Sequence, residues 1–450
     1  MATLLVRNAE MLVTMDAGRR EIAGGGIFAR DGVIEVVGAD DVLPQEADRV
    51  IDVGGMLVLP GLVNTHHHFF QSLTRALPAA QDAGLFDWLV TQYPIWARLD
   101  GEAIYASART VLAELALSGC TTASDHLYLF PNGARLDDEI RAAREIGVRL
   151  HACRGSMSLG ESEGGLPPDA VIEDEEEILR DCQRVYEEFH EPERYGMVRI
   201  VIAPCAPFNV SEDLMRRSVE FARERGLTLH THVAETLDEE AYCLQHTGMR
   251  PVAYMHSLGW TGPDVWWAHV VWTNPEEVAL LAETRTGVAH CPSSNMRLGS
   301  GVAPIREYLD AGVRVGLAVD GSASNDSSHL FSEARQALLL QRVSKGVGAL
   351  SAREALEMAT LGGAAVLGRD DIGALAPGMA ADLIGVRLDR LDYAGAQTDP
   401  VAAPLFCRPP TVDLSVINGR VIVEDGELLT ADVGEIVARH NALSRRLVTG

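Results

Sequence analysis

The feature that most restricts the fold is a regular alternation of short apolar runs and helix-like stretches through the middle of the chain. Stretches such as "AIYASARTVLAELALSG" and "SEDLMRRSVEFARERG" have helical periodicity, and several end in glycine, a common residue after a helix C-terminus. Eight intervening runs have the length and composition of buried strands. They are "MLVLPGLVNTHHH", "TTASDHLYLF", "VRLHACRGS", "VRIVIAPCAP", "LTLHTHVAET", "VWWAHVVW", "GVAHCPSSN" and "VRVGLAVDGS". This alternation predicts an α/β fold, a (β/α)8 barrel.

Both ends of the chain differ from this middle part. "TLLVRNAEMLVTM" near the N-terminus and "LSVINGRVIVEDGELL" near the C-terminus alternate strand-like runs with turn residues, and "DVGEIVARHNALSRRLV" predicts a closing helix. The matching character of the two ends predicts one small sheet domain assembled from both. We expect its N-terminal part at 1–59, the barrel at 60–367, and its C-terminal part with the closing helix at 368–450.

Charge and composition restrict the partners. The net charge of -26 would repel the phosphate backbone of a nucleic-acid polymer, so we expect a small-molecule ligand instead. An apolar run long enough to span a membrane is lacking, and the N-terminus has the pattern of a strand rather than a signal peptide. The seven cysteines are scattered without a CxxC pair, as is typical of reduced thiols. We therefore expect a cytoplasmic protein that does not contact a membrane.

Potential metal ligands collect where the predicted strands end, which is where a (β/α)8 barrel carries its chemistry. Seven of the 14 histidines fall there, together with acidic and amide side chains. In chain order these strand-end residues are His66, His67, His68, Gln71, His230, His232, Glu235, His269, His290 and Asp320. Histidines that only fill a core would not concentrate at strand ends, so this pattern predicts a metal site.

Side chains alternate across a strand, so His66 and His68 share one face while the ring of His67 points the other way. With His232 and Asp320 they form a ligand set that suits one Zn²⁺, with Fe²⁺ as an alternative. Glu235 follows shortly after and can reach a metal-bound water as a proton shuttle. We expect a structural role for His67.

The sequence leaves the roles of two further histidines open. His230 shares the strand face of His232, so contact with the metal stays open. His290 lies beside Cys291, but neighbouring residues point to opposite faces, which favours a pocket or structural role over metal binding.

Several motifs in the same order resemble the amidohydrolase superfamily, in its aminohydrolase branch. They are "PGLVNTHHH", "HTHVAET", "WAHVVW", "AHCPSSN", "VGLAVDGSASN" and, near the C-terminus, "DIGALAPGMAADLIGV". The resemblance covers nearly the whole chain. It implies a distorted (β/α)8 barrel with a small β-sandwich built from both termini, and a tendency to form homo-oligomers.

The same resemblance implies one metal ion held by His66, His68, His232 and Asp320. Relatives with two metals use a carboxylated lysine from the fourth strand. The single lysine of this chain, Lys345, comes after Asp320 and cannot serve in that way.

The implied reaction is hydrolytic deamination of a heteroaromatic ring. Asp320 would accept a proton from the attacking water, Glu235 would protonate the ring nitrogen, and His269 would stabilise the tetrahedral intermediate. Gln71 holds the position at which guanine-type deaminases hydrogen-bond the purine.

Two longer stretches, "SLTRALPAAQDAGLFDWLVTQYPIWARL" and "CRGSMSLGESEGGLPPD", resemble 8-oxoguanine deaminases of this branch. They imply conversion of 8-oxoguanine and water to urate and ammonia. Arg154 is a candidate for binding a ring carbonyl, with an ion pair inside the barrel as the open alternative. Trp88 and Trp96 are candidates for covering the base or for packing.

Other functions remain open at this point. Within the branch, the alternatives are deaminases of isoxanthopterin or guanine and triazine hydrolases, since all share the metal site. A non-catalytic barrel would be expected to have lost ligands, and none is missing. Ring opening of the hydantoinase kind is disfavoured by the missing fourth-strand lysine and by Gln71.

Overall fold

The computed structural model describes residues 2–450. The strands of this part are β1 (Thr3–Ala9), β2 (Met11–Val13), β3 (Glu21–Ile22), β4 (Gly25–Arg30), β5 (Val33–Ala39), β6 (Arg49–Asp52), β7 (Met56–Pro60), β8 (Leu62–Asn64), β9 (Cys120–Leu127), β10 (Arg149–Ser156), β11 (Val198–Pro204), β12 (Thr228–Val233), β13 (Val265–His269), β14 (Gly287–His290), β15 (Arg314–Leu317), β16 (Leu383–Arg387), β17 (Leu414–Ile417), β18 (Arg420–Glu424) and β19 (Glu427–Leu428).

The α-helices of the same residues are α1 (Leu85–Trp96), α2 (Gly101–Leu117), α3 (Leu136–Ile146), α4 (Glu175–Phe189), α5 (Glu212–Arg225), α6 (Leu237–Thr247), α7 (Pro251–Ser257), α8 (Pro275–Thr284), α9 (Pro292–Arg297), α10 (Ile305–Ala311), α11 (Leu330–Lys345), α12 (Ala352–Glu357), α13 (Gly363–Val366), α14 (Ala403–Phe406) and α15 (Val433–Thr449). Within residues 2–450, none of these helices is both long and apolar enough to cross a membrane.

The eight parallel strands β8 to β15 form the barrel, and each pairs with its neighbour in chain order. The first and last strands approach each other where the Thr65 N–H donates a hydrogen bond of 3.0 Å to the Leu317 carbonyl. All eight predicted strands are present, so the predicted (β/α)8 barrel is confirmed. The carboxyl ends of these strands meet at one mouth, where the strand-end residues are gathered.

The predicted first barrel strand is wrong in its extent. The run "MLVLPGLVNTHHH" divides into β7, which pairs with β16 in another sheet, and β8, which belongs to the barrel. Gly61 stands at the division, and a Cβ atom at this position would lie 2.1 Å from the Thr121 hydroxyl. The histidines that follow therefore lie beyond the end of β8, in the loop at the barrel mouth.

Strands from both ends of the chain form two further sheets. One has the order β5-β4-β1-β6, and the other has the order β19-β18-β17-β16-β7-β2-β3. Apolar side chains of both sheets, among them Val6, Ile27, Val58 and Leu383, share one buried core. This arrangement confirms the small β-sandwich built from both termini, whereas the residue boundaries of the domains stay predictions.

The closing helix α15 supports the barrel mouth rather than the sandwich. Its His440 ring lies 3.1 Å from the Ser72 carbonyl, and the Ser444 hydroxyl donates to the Leu73 carbonyl at 2.7 Å. These contacts hold the short 3-10 helix Phe69–Thr74 that follows the three histidines. The C-terminus of the chain therefore helps to position the loop that carries the candidate ligands.

Candidate metal centre and substrate cavity

Four side chains predicted to bind metal meet at the barrel mouth. The Nε2 atoms of His68 and His232 are 3.1 Å apart, and Asp320 Oδ1 lies 3.2 Å from His66 Nε2 and 3.5 Å from His68 Nε2. All four side chains are buried. The structure thus brings the predicted ligands from the β8, β12 and β15 ends within reach of a single ion.

Backbone carbonyls determine which nitrogen of two of these rings is free. The Nδ1 atom of His68 lies 2.7 Å from the His126 carbonyl, and that of His232 lies 2.6 Å from the Cys205 carbonyl. A carbonyl oxygen only accepts, so each Nδ1 carries the proton and each Nε2 has its lone pair free. Both free lone pairs belong to the Nε2 atoms that face each other.

The ring of His66 is oriented in the same way by another histidine. His230 Nδ1 lies 3.0 Å from the Trp266 carbonyl and must donate to it, which leaves His230 Nε2 as an acceptor. The His66 Nδ1–H donates to that atom at 2.7 Å. The ring of His230 therefore points at the predicted ligand His66 and hydrogen-bonds to it.

These residues fit a divalent cation. Burial lowers the pKa values of His66, His68 and His232, which keeps the imidazoles neutral, the form that binds metal. The buried His66 Nε2 atom has no hydrogen-bond partner. Three neutral imidazole nitrogens and one carboxylate form a ligand set typical of Zn²⁺, and Fe²⁺ accepts the same atoms. The site can hold one divalent metal ion.

His126 also belongs to this histidine group, and sequence reasoning missed it. Its ring stacks on His232 with centroids 5.0 Å apart, and its Nε2 lies 2.7 Å from the Ala203 carbonyl. It is close enough to His66, His68 and His232 for the four to form a possible metal-binding set. Its position near the end of the second barrel strand was the signal that could have identified it.

Asp320 is held by several donors in a strained backbone conformation. Its Oδ2 accepts hydrogen bonds from the hydroxyls of Ser294 (2.5 Å) and Ser324 (3.2 Å), and Oδ1 accepts from the Gly321 N–H at 2.6 Å. Its φ of 63° is in the left-handed region, which costs free energy for a residue other than glycine. These contacts fix the direction of the carboxylate at the site.

Glu235 and His269 lie beside the predicted metal ligands. His269 Nε2 is 3.5 Å from Glu235 Oε2 and 3.9 Å from Asp320 Oδ2, while its Nδ1 lies 2.9 Å from Asn295 Oδ1. Burial favours the neutral ring of His269, but the carboxylates of Glu235 and Asp320 raise its pKa. Burial also raises the pKa of Glu235. A carboxyl group that can carry a proton therefore lies next to the centre.

Glu239 holds the loop that carries Glu235. Its two carboxylate oxygens accept hydrogen bonds of 2.8 Å from the backbone N–H groups of Ala234 and Glu235. Ala234 has a φ of 56°, so the chain turns sharply directly after β12. The turn aims Glu235 at the barrel mouth.

A cavity adjoins the predicted metal centre. His68, His232, Glu235, His269 and Asp320 all line it. The predicted substrate-binding residues Gln71 and Trp88 also line it, together with Tyr93, Tyr128, Cys205, Phe208, Asn209, Leu298 and Ser324. His230, His290 and Trp96 lie outside this lining.

Gln71 approaches the centre because the residue after Asp320 is glycine. A Cβ atom at Gly321 would lie 1.8 Å from Gln71 Oε1. The other end of the amide, Nε2, lies 3.5 Å from the Tyr128 hydroxyl. Trp88 donates its indole N–H to the Ala323 carbonyl at 3.2 Å, which fastens α1 over the cavity.

Arg154 is the predicted substrate-binding residue that does not line the cavity. Its guanidinium is 2.7 Å from both the Glu173 and the Asp181 carboxylates and stacks 3.8 Å from the Phe130 ring centre. The side chain is 1% exposed. The structure thus places Arg154 in the ion pair that the sequence left open as the alternative, so we do not retain it as a substrate-binding residue.

The single lysine, Lys345, does not line the cavity at the barrel mouth. Lys345 is the last residue of α11, is partly exposed, and pairs with Glu307. A lysine that could bridge two metals is therefore missing from the fourth barrel strand β11, whose sequence is "VRIVIAP".

Comparison with known protein families identifies the family of the chain. The family model described as "Amidohydrolase family" matches residues 57–422. The chain belongs to the amidohydrolase family and is a hydrolase.

Three related proteins are similar over nearly their whole length. The chain is 47% identical to an 8-oxoguanine deaminase of Pseudomonas aeruginosa, over 95% of this chain and 96% of that protein. It is 38% identical to a hydroxydechloroatrazine ethylaminohydrolase of Pseudomonas sp. strain ADP, over 100% and 97%. An atrazine chlorohydrolase of Arthrobacter aurescens TC1, solved in complex with zinc, superposes with a TM-score of 0.94 at 37% identity, over 98% and 100%.

Proposed function

We propose that this protein is a zinc-dependent deaminase that converts 8-oxoguanine and water to urate and ammonia. The observation that carries the proposal is that one buried cavity is lined by predicted metal ligands, by the Glu235 carboxyl and by the Gln71 amide. The similarity to the 8-oxoguanine deaminase of Pseudomonas aeruginosa supports the choice of substrate. The zinc-bound triazine hydrolase of similar structure supports the choice of metal.

His66, His68, His232 and Asp320 would hold the ion. When bound, it would supply the Lewis acidity that makes a water molecule nucleophilic near neutral pH. The protein's contribution begins with orientation, because the acceptors of the three Nδ1–H groups keep the Nε2 lone pairs directed inward. Without these acceptors the rings could rotate or change tautomer.

The carboxyl groups of Glu235 and Asp320, which both lie near His269, transfer the protons. Asp320 accepts the proton of the attacking water, and Glu235 donates a proton to the ring nitrogen next to the carbon under attack. His269 lies 3.5 Å from Glu235 and 3.9 Å from Asp320, so its ring can stabilise negative charge between them. Asp320 then returns its proton to the amino group, which leaves as ammonia, and Glu235 takes up the proton of the added hydroxyl group as the ring carbonyl forms. All three side chains are buried.

The cavity walls suit a flat base. Trp88, Tyr93, Tyr128 and Phe208 provide aromatic surface, while Gln71 can hydrogen-bond the polar edge of the ring. This combination favours a heteroaromatic substrate over a peptide or a sugar.

Release of an amine from a triazine is a second candidate function. It is favoured by the similarity to the ethylaminohydrolase of Pseudomonas sp. strain ADP. The proposed metal centre and carboxyl groups would serve both reactions, since each reaction replaces an amino group of the ring by the oxygen of a water molecule. Only the contacts of the ring with the cavity would differ.

The proposal is tested by measuring kcat/KM for ammonia release from 8-oxoguanine, guanine, isoxanthopterin and an ethylamino-triazine with the zinc-loaded protein. The expected result is a value for 8-oxoguanine at least tenfold above each of the others. A value for 8-oxoguanine no higher than that for guanine contradicts the substrate assignment. Ethylamine release exceeding all ammonia-release rates favours the second candidate.

A further inference from the structure

One wall of the cavity carries a hydrogen-bond donor that the proposed mechanism does not use. Asn209 is fully buried, lines the cavity, and lies in the loop between β11 and α5. Its side-chain Nδ2 atom has no hydrogen-bond partner in the described structure. A buried amide N–H without an acceptor is costly, so such a group at a ligand cavity indicates a polar atom supplied by the ligand.

The orientation of the amide follows from its other contacts. Asn209 Oδ1 accepts a hydrogen bond of 2.9 Å from the Ala206 N–H, which requires oxygen rather than nitrogen at that position. The Asn209 carbonyl accepts from the N–H groups of Ser158 (3.0 Å) and Leu159 (3.1 Å), and its own N–H donates to the Ala206 carbonyl. Every other polar atom of Asn209 is therefore engaged. These hydrogen bonds hold the free Nδ2 in one direction.

The Asn209 amide faces side chains other than the predicted metal ligands. The Tyr93 hydroxyl and the Cys205 thiol lie beside the Asn209 side chain, but neither has the distance and angle of a hydrogen bond with Nδ2. Both residues line the cavity. None of the hydrogen bonds of Asn209 involves a predicted metal ligand. The Nδ2 donor is therefore separate from the predicted metal-binding set.

We propose that Asn209 selects 8-oxopurines by donating a hydrogen bond from Nδ2 to the C8 carbonyl of the base. This inference rests on the function proposed above. The attacked carbon, C2, and C8 lie at opposite ends of a purine, so a base with C2 at the metal centre places C8 at a distant wall of the cavity. Guanine has a C–H group at C8 and would leave the Asn209 donor buried and unpaired.

Two substitutions remove the donor in different ways. Asn209→Asp keeps the Oδ1 acceptor for the Ala206 N–H and places a carboxyl oxygen where the Nδ2 amide nitrogen was. Asn209→Leu retains the approximate volume without polar atoms. Losing one buried hydrogen bond predicts a roughly 10- to 100-fold lower kcat/KM for 8-oxoguanine, whereas kcat/KM for guanine stays within about threefold.

Gln92→Leu is the matched control. The side-chain amide of Gln92 is also buried without hydrogen-bond partners, but the residue does not line the cavity. The ratio of kcat/KM for 8-oxoguanine to that for guanine should therefore stay at the wild-type value in Gln92→Leu.

The measurement is this ratio for the zinc-loaded wild-type protein and the three variants. A fall of at least tenfold in an Asn209 variant, with Gln92→Leu unchanged, supports the proposal. A wild-type protein that prefers 8-oxoguanine, with a ratio unaltered in both Asn209 variants, overturns the role of Asn209 and leaves the proposed function intact. A wild-type ratio of one or below overturns the proposed function itself, and the role of Asn209 with it.

Competitive inhibition of the wild-type protein gives a second readout that needs no variant. Urate carries the C8 carbonyl and xanthine does not, although the two are otherwise equivalent at the attacked end. Urate should bind roughly 10- to 100-fold more tightly than xanthine. Equal inhibition constants would overturn the proposal even if the Asn209 variants do not fold.

Discussion

His230 provides the sharpest test of how the metal centre is built. Its ring accepts the Nδ1–H of His66 at 2.7 Å and donates its own Nδ1–H to the Trp266 carbonyl at 3.0 Å. The substitution His230→Leu fills a similar volume but removes the acceptor. His66 would then keep a buried N–H group without a partner, and its ring would be free to rotate or to exchange its tautomer.

The size of the effect follows from the lost hydrogen bond. A buried donor without an acceptor costs about 1–3 kcal/mol, and each 1.4 kcal/mol corresponds to roughly a tenfold change in affinity. Substitution of residues that orient metal ligands typically lowers metal affinity about 10- to 100-fold. We therefore expect the zinc Kd to rise about 10- to 100-fold in His230→Leu, and to rise less in His230→Gln, whose amide oxygen can accept from His66.

Zinc affinity is measured by competition with a chelator of known affinity, on protein stripped of metal and reconstituted. His151→Leu is the control, because His151 is a buried histidine of barrel strand β10 whose ring nitrogens have no hydrogen-bond partner. Its zinc Kd should stay within about threefold of wild type. A zinc Kd in His230→Leu that matches wild type, or an equal weakening in His151→Leu, would refute the reasoning.

Three further predictions concern the proton donor, the middle histidine and a distant ion pair. Glu235→Gln should keep one zinc ion and lower kcat for ammonia release about 10²- to 10⁴-fold; a rate within a few-fold of wild type would contradict its role as proton donor. His67→Ala should also keep one zinc ion, because the His67 ring contacts the Ser328 hydroxyl at 3.0 Å instead of the proposed metal centre. The same substitution should lower the free energy of unfolding by about 3 kcal/mol. Zinc loss measured by metal analysis would show that His67 is a ligand. The Arg369 guanidinium donates hydrogen bonds of 2.7 and 2.8 Å to the two carboxylate oxygens of Asp371. Burial alone would raise the pKa of Asp371, but this ion pair holds the pKa below its usual range. Asp371→Asn should therefore lower the free energy of unfolding at pH 7 by about 3 kcal/mol, with a smaller loss once the pH falls below about 4, where the unfolded carboxylate becomes protonated; equal losses in urea unfolding at pH 7 and pH 3 would contradict this.

Much of the barrel could be predicted because its signals are local. A buried parallel strand is a short apolar run, and each of the eight runs is bounded by helical stretches with clear periodicity. The strand-end rule then located His66, His68, His232 and Asp320 together, although they are far apart in sequence. The division of the first run at Gly61 could not be predicted in this way, since the residues on both sides are equally apolar.

The residues that orient the site were harder to predict because they act through atoms common to all residues. The acceptors for His68 and His232 are the backbone carbonyls of His126 and Cys205, which no residue type reveals. The role that we propose for Asn209 depends on which of its atoms are already engaged. Such information exists only once the chain is folded.

The most direct test of the account is a zinc titration of metal-free protein, followed by the rate of urate formation from 8-oxoguanine. The account predicts that the stripped protein is inactive and that activity rises linearly to a plateau at one zinc ion per chain. Full activity without metal, or a plateau only at two ions per chain, would contradict the proposed centre of His66, His68, His232 and Asp320.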